Sequence, residues 1–111
     1  MTVYDELYAR HPALKLCADA IAAAHNALVA AYRAGGKVLA CGNSANCVHA
    51  AEVMRAVGGK VVAFTGARPS ALSRLADATI AVPETETYRV QELHLPVYHA
   101  LCAGVEAELF A

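Results

Sequence analysis

Along the 111-residue chain, apolar positions recur with two periods. Leu14, Ala18, Ile21, His25, Leu28 and Tyr32 follow one another by alternating fours and threes, the spacing of one helix face. A long helix is therefore expected from Pro12, which suits a first helical turn, to about Ala34, where Gly35-Gly36 stops it. A shorter helical pattern, Tyr4 to Ala9, precedes it. His25 lies in the seam of the long helix, where a histidine is ordinarily packed and hydrogen-bonded, and it is given no role.

After the glycines the pattern changes to short unbroken apolar runs. Gly35-Gly-Lys-Val-Leu-Ala40 is echoed by Gly58-Gly-Lys-Val-Val-Ala63, and each copy reads as a helix stop followed by a buried strand. A helix of about Ala45 to Val57 between them makes a strand–helix–strand unit, which implies a right-handed crossover and two parallel strands. Ser70, after Pro69, caps a short helix to Ala76, and Thr79 to Val82 reads as a third strand. Pro83 to Thr87 is a polar turn, and Tyr88 to Phe110 a final helix in which Pro96 is expected to cause a kink or loosen the bond to Glu92. The expected fold class is α/β: one domain, residues 1–111, with a small three-stranded parallel sheet between helices on both faces.

Composition sharpens this picture. The chain is 58% hydrophobic and 17% charged, an excess that fits a protomer hiding surface in a homodimer or homotetramer. Nine basic and ten acidic residues give a net charge of −1 with no basic run, which argues against a nucleic-acid partner. No apolar stretch is expected to be long and charge-free enough to span a membrane, and no signal peptide is visible at the N-terminus. Cys17, Cys41, Cys47 and Cys102 are scattered without a C-x-x-C pair and read as reduced, mostly buried thiols of a cytoplasmic protein.

Candidate chemistry gathers where strands end. Lys37 to Val48 runs from a strand through the turn Cys41-Gly42-Asn43 into a helix capped by Ser44 or Asn46, aiming backbone N–H groups and a helix dipole at one spot. That geometry suits a phosphate, although many α/β turns share it and bind nothing. Ligands of open α/β sheets collect outside the carboxyl ends of the strands. This edge holds Gly42, Asn43, Ser44, Thr65 and Gly66, then Glu84, Thr85 and Thr87. The three threonines are candidate donors to a sugar hydroxyl or phosphate, and turn capping explains each equally well. His49 and Glu52 lie three apart on one helix face, a spacing that serves acid–base work, a metal or only a solvated surface.

Gly35 to Asn43, Ser44-Ala-Asn46, Val61 to Gly66, Leu75 to Pro83 and above all Arg89-Val-Gln-Glu-Leu-His94 resemble the SIS (sugar isomerase) domain, with the phosphoheptose isomerases as the closest branch. In that family a first Gly-Asn loop and a helix with a catalytic histidine and glutamate precede a hydroxyl-rich second loop. Here residues 40–46 stand where the family has the end of that second loop, as if the middle were absent. By resemblance, Ser44 matches a phosphate-binding serine, while Ala40 and Cys41 replace two other hydroxyls. His99 matches the catalytic histidine, and Gln91 its partner, which helps hold zinc in some members. Eight residues separate Gln91 from His99, so they do not share one tight helix face. Glu92 and His94 are usual in the motif and read as supporting or interface residues.

Aldose–ketose isomerisation needs a base at the carbon beside the carbonyl and an acid at the carbonyl oxygen. The resemblance implies a sugar-phosphate isomerase whose site is shared between subunits. Asn43, Ser44, Thr65, Thr85, Thr87 and Gln91 would bind substrate, with His99 as acid and Glu52 or a neighbour's Glu92 as base. Zinc at His49, Gln91 and His99 would be its metal. The alternative is a non-catalytic phosphosugar-binding or structural oligomer of the same fold.

Overall fold

The computed structural model describes residues 2–42, 45–68 and 70–110, the side chains of Cys41, Ala45 and Asn46 excepted. Three parallel strands, β1 (Val38–Cys41), β2 (Lys60–Thr65) and β3 (Ala78–Ala81), lie in the order β1-β2-β3. Leu39 pairs with Val61, and Phe64 with Ile80. The helices are α1 (Val3–Arg10), α2 (Ala18–Arg33), α3 (Ala45–Ala56), α4 (Ala71–Leu75) and α5 (Thr87–Phe110).

The repeated glycine pair has one structural meaning. Gly35 and Gly58 take φ of +70° and +82°, the left-handed conformation that ends a helix at little steric cost when no side chain is present. The next amide in each copy reaches back into the last turn: Gly36 N–H to Ala31 O at 2.8 Å, and Gly59 N–H to Met54 O at 2.9 Å. Gly35 N–H bonds Tyr32 O and Gly58 N–H bonds Arg55 O, completing the same two-bond stop twice. Each stop feeds the chain straight into a strand.

β2 is central and buried from Val61 onward, so its alternate residues supply two cores. Val62 and Phe64 join Ile80, Leu14, Ile21, Val97 and Leu101 under α1, α2 and α5. Val61 and Ala63 meet Ala51 and Leu72 under α3 and α4. Asp77 sets the register of β3, because its carboxylate accepts from Val61 N–H at 2.8 Å while its own N–H donates to Val61 O at 2.8 Å.

Three expectations change. The long N-terminal helix opens as a 3-10 turn, Pro12–Cys17, before α2 begins. Cys17 and Ala24 join the expected Leu14 and Ile21 in the core, Leu28 packs against it, and Tyr32 is 59% exposed. Residues 12–33 are also long and apolar enough, by length and composition, to cross a membrane, contrary to the sequence expectation. Here that stretch packs Leu14, Ile21 and Ala24 into the core of the domain. Finally, Cys102 is exposed rather than buried, whereas Cys17 is buried and its thiol donates to Ala81 O. The helix assignment of α5 runs unbroken through Pro96.

His25 joins three helices. Its Nδ1 lies 2.6 Å from the Tyr4 hydroxyl of α1, and its Nε2 lies 2.8 Å from Glu108 of α5. Burial pushes the Tyr4 phenol up to about 12, so it remains a donor. A carboxylate only accepts, so His25 Nε2–H donates to Glu108, while Nδ1 pairs with the phenol. Hydrogen bonding by His25, helped by Arg33, holds the Glu108 carboxyl below its ordinary range. Gly104 makes room for this link, since a Cβ there would come within 2.5 Å of the Tyr4 hydroxyl. Gly104→Ala is expected to break the Tyr4–His25 bond and cost about 1–3 kcal/mol. In a Tyr4→Leu background the same change should cost clearly less, a coupling that paired urea titrations measure.

Candidate functional site

A cavity of about 740 Å³ opens at the carboxyl ends of β2 and β3. Its floor is Phe64, Thr65 and Gly66, and one wall is the turn carrying Glu84 and Thr85. The other wall is α5, where Thr87, Gln91, His94 and Tyr98 succeed one another by fours and threes on one face. Gly42 after β1 and Cys47 on α3 complete the rim.

The turns are held close by backbone contacts. Ala67 N–H bonds Glu84 O at 2.9 Å, joining the loop after β2 to the turn after β3. A Cβ on Gly66 would stand 2.7 Å from that carbonyl, so glycine is what allows the approach. Arg68 and Glu84 are the charged residues on the wall among the described residues.

Thr65 carries the most constrained hydrogen bonding at the site. Its carbonyl accepts from Val82 N–H and from His94 Nε2, both at 3.0 Å. Its hydroxyl donates to Gly66 O, so that donor is already committed. His94 is 7% exposed and stands edge-on to Phe64 at 5.5 Å. Burial lowers the pKa of its imidazole, with the bond to Thr65 opposing in part. The unfolded chain therefore takes up a proton that folded His94 resists. Stability is expected to be full above pH 6.5, the ordinary histidine value, and to fall as the pH drops below it. Urea midpoints at pH 7.5 and 5.5 should show a smaller drop for His94→Gln than for the unaltered chain.

The residues expected from sequence divide cleanly. Thr65, Thr85, Thr87 and Gln91 all line the cavity, although Thr65 is buried with its hydroxyl used. Asn43 and Ser44, the expected phosphate loop, lie outside the described residues, as does the side chain of Asn46. His99 is exposed on α5 and does not line the cavity; Tyr98 holds the neighbouring place inside it. Five residues at about 100° each turn His99 well away from His94. His49 and Glu52 are exposed on α3, outside the cavity wall. Among the described residues no three His, Cys, Asp or Glu side chains group closely enough to hold a metal ion. Of His49, Gln91 and His99, Gln91 lines the cavity and the two histidines do not.

Glu84 lines the cavity as its place after the third strand suggests, whereas the sequence reading gave no cavity-lining role to His94, Tyr98, Phe64 and Arg68. Continuing the α5 face from Thr87 and Gln91 by helical steps reaches His94 and Tyr98, a signal present in the spacing alone.

A phosphoheptose isomerase of Rhodospirillum rubrum is 39% identical over 85 residues, 73% of this chain and 45% of its own length. One from Aneurinibacillus thermoaerophilus is 42% identical over 69 residues, 62% of this chain and 35% of its own. One from Mycobacterium tuberculosis is 43% identical over 70 residues, 63% of this chain and 36% of its own. The chain is similar to phosphoheptose isomerases. It spans between about a third and a half of the length of these relatives. No protein-family model matches the chain.

Proposed function

We propose that the cavity binds a sugar phosphate and belongs to an isomerase that interconverts sedoheptulose 7-phosphate and its aldose. The observation that carries this reading is the cavity itself. Thr85, Thr87 and Gln91 stand together at the carboxyl ends of the strands and the start of a 24-residue helix. The helix start and Arg68 favour an anion there, and Thr87, Thr85 and Gln91 offer hydrogen bonds to a polyol.

Aldose–ketose exchange moves a proton between adjacent carbons, which calls for a base at carbon and an acid at oxygen. His99 and Glu52 are the candidates that the family resemblance supplies. Both are exposed and off the cavity, so they serve catalysis only if a second copy brings them to it. An apolar groove between α2 and α5 beside edge strand β1, with Tyr32 and Phe110 59% and 82% exposed, supports assembly as a homodimer or homotetramer. Of the residues proposed for zinc, Gln91 lines the cavity while His49 and His99 are exposed outside its lining.

Purified protein should turn over sedoheptulose 7-phosphate, and His99→Ala should abolish most of that turnover. Loss of turnover in a dilute, monomeric sample would support completion of the site by a second copy. Tight binding without turnover at any concentration would instead favour a phosphosugar-binding module, the reading that the outward placement of His99 and Glu52 favours.

A further inference from the structure

We propose that His94 is a substrate-reading residue, accepting a hydrogen bond from a hydroxyl of the bound sugar through Nδ1. The inference rests on the cavity being a sugar-phosphate site, as argued above, and adds a residue and an atom to it.

A carbonyl oxygen only accepts, so the 3.0 Å contact between Thr65 O and His94 Nε2 requires the proton on Nε2. Val82 N–H takes the second lone pair of the same oxygen, which fixes the ring's partner from both sides. A neutral imidazole with its proton on Nε2 carries a bare lone pair on Nδ1. Nδ1 has no hydrogen-bond partner among the described residues, whose buried side-chain nitrogens and oxygens are all satisfied. Nδ1 is thus not sealed in the core, and the open space that His94 borders is the cavity. The result is an acceptor presented to the ligand by a ring that cannot turn without losing Thr65 and its edge contact with Phe64.

Its neighbours in the wall complement it. Gln91 and Thr87 lie one and two turns earlier on the same face of α5, nearer the helix start that favours the phosphate. A sugar phosphate held there by its anionic end would lay its carbon chain along α5 toward His94. Inorganic phosphate, with no carbon chain, would not reach it.

The test combines imidazole nitrogen resonances with calorimetry on the intact chain. His94 should show a protonated Nε2 and a bare Nδ1 at pH 7.5. Saturating sedoheptulose 7-phosphate should shift the Nδ1 resonance, and inorganic phosphate should not. His94→Phe should weaken sedoheptulose 7-phosphate binding about five- to tenfold, the worth of one hydrogen bond, and leave phosphate binding within twofold. His94→Gln, which retains a donor and an acceptor, should recover part of the loss. A proton on Nδ1 overturns the proposal. So does an unmoved Nδ1 while the Thr85 and Thr87 amides respond to the sugar, which leaves sugar-phosphate binding standing. If no cavity amide responds, the binding reading fails and the role of His94 falls with it.

Discussion

Phe64→Ala is expected to destabilise the domain by about 3–5 kcal/mol, the range for removing a buried aromatic ring. Phe64 is 1% exposed on the central strand, and its ring packs at 4.3 Å from Tyr98 and 5.5 Å from His94. It also forms wall on both sides, facing the cavity at the strand ends and the apolar groove beside β1. Truncation would join the two spaces and leave His94 and Tyr98 without support, so little collapse can refill the void. Net stability for a domain of this size is only about 5–15 kcal/mol, so the loss is a large fraction of the whole. Thermal melts should show the midpoint lowered by roughly 15 °C or more. Phe64→Leu, which keeps most of the volume, should lose far less. Equal losses for the two variants would mean that the ring is not the keystone described here.

Gly66→Ala is the second large effect, and it acts on the site more than on the core. The added Cβ would lie 2.7 Å from Glu84 O and 3.0 Å from Val90 Cγ2. Backbone on one side and helix α5 on the other leave neither neighbour free to swing aside. The turn after β3 must move, and with it the Ala67–Glu84 bond that closes the cavity floor. Stability should fall by about 1–3 kcal/mol. Binding of a sugar phosphate should fall as well, because the turn that carries Thr85 moves away from α5. Calorimetry beside thermal melting separates the two losses. Unchanged affinity in Gly66→Ala would place the ligand elsewhere.

Much of the fold is legible in the residues themselves. The echo of Gly35-Gly-Lys-Val in Gly58-Gly-Lys-Val announces two helix stops and two strands, and both stops close with the same pair of hydrogen bonds. Ser70 caps α4 as its position before a short apolar pattern suggests, with Ser73 returning the bond. The inward face of the long N-terminal helix was legible in Leu14, Ile21 and Leu28, but its 3-10 opening at Pro12 and the exposure of Tyr32 were not. His25 is packed and hydrogen-bonded as expected, but its partners Tyr4 and Glu108, 21 and 83 residues away, were not legible.

The site divides along the same line. Thr85 and Thr87 follow from the rule that ligands gather at strand ends, and Gln91, which the family motif supplies, lines the same cavity. Matching residues to a motif pointed to His99, but a motif does not carry the helical phase. Counting turns along α5 gives the cavity His94 and Tyr98, and sends His99 outward.

The most direct measurement is a titration of the purified chain with sedoheptulose 7-phosphate, followed through backbone amide resonances. The account predicts saturable shifts concentrated at Gly66, Arg68, Thr85, Thr87 and Gln91, with His49 and Glu52 unmoved in monomeric samples. Shifts centred on the α2–α5 groove, or no saturable shift at the carboxyl ends of the strands, would contradict it.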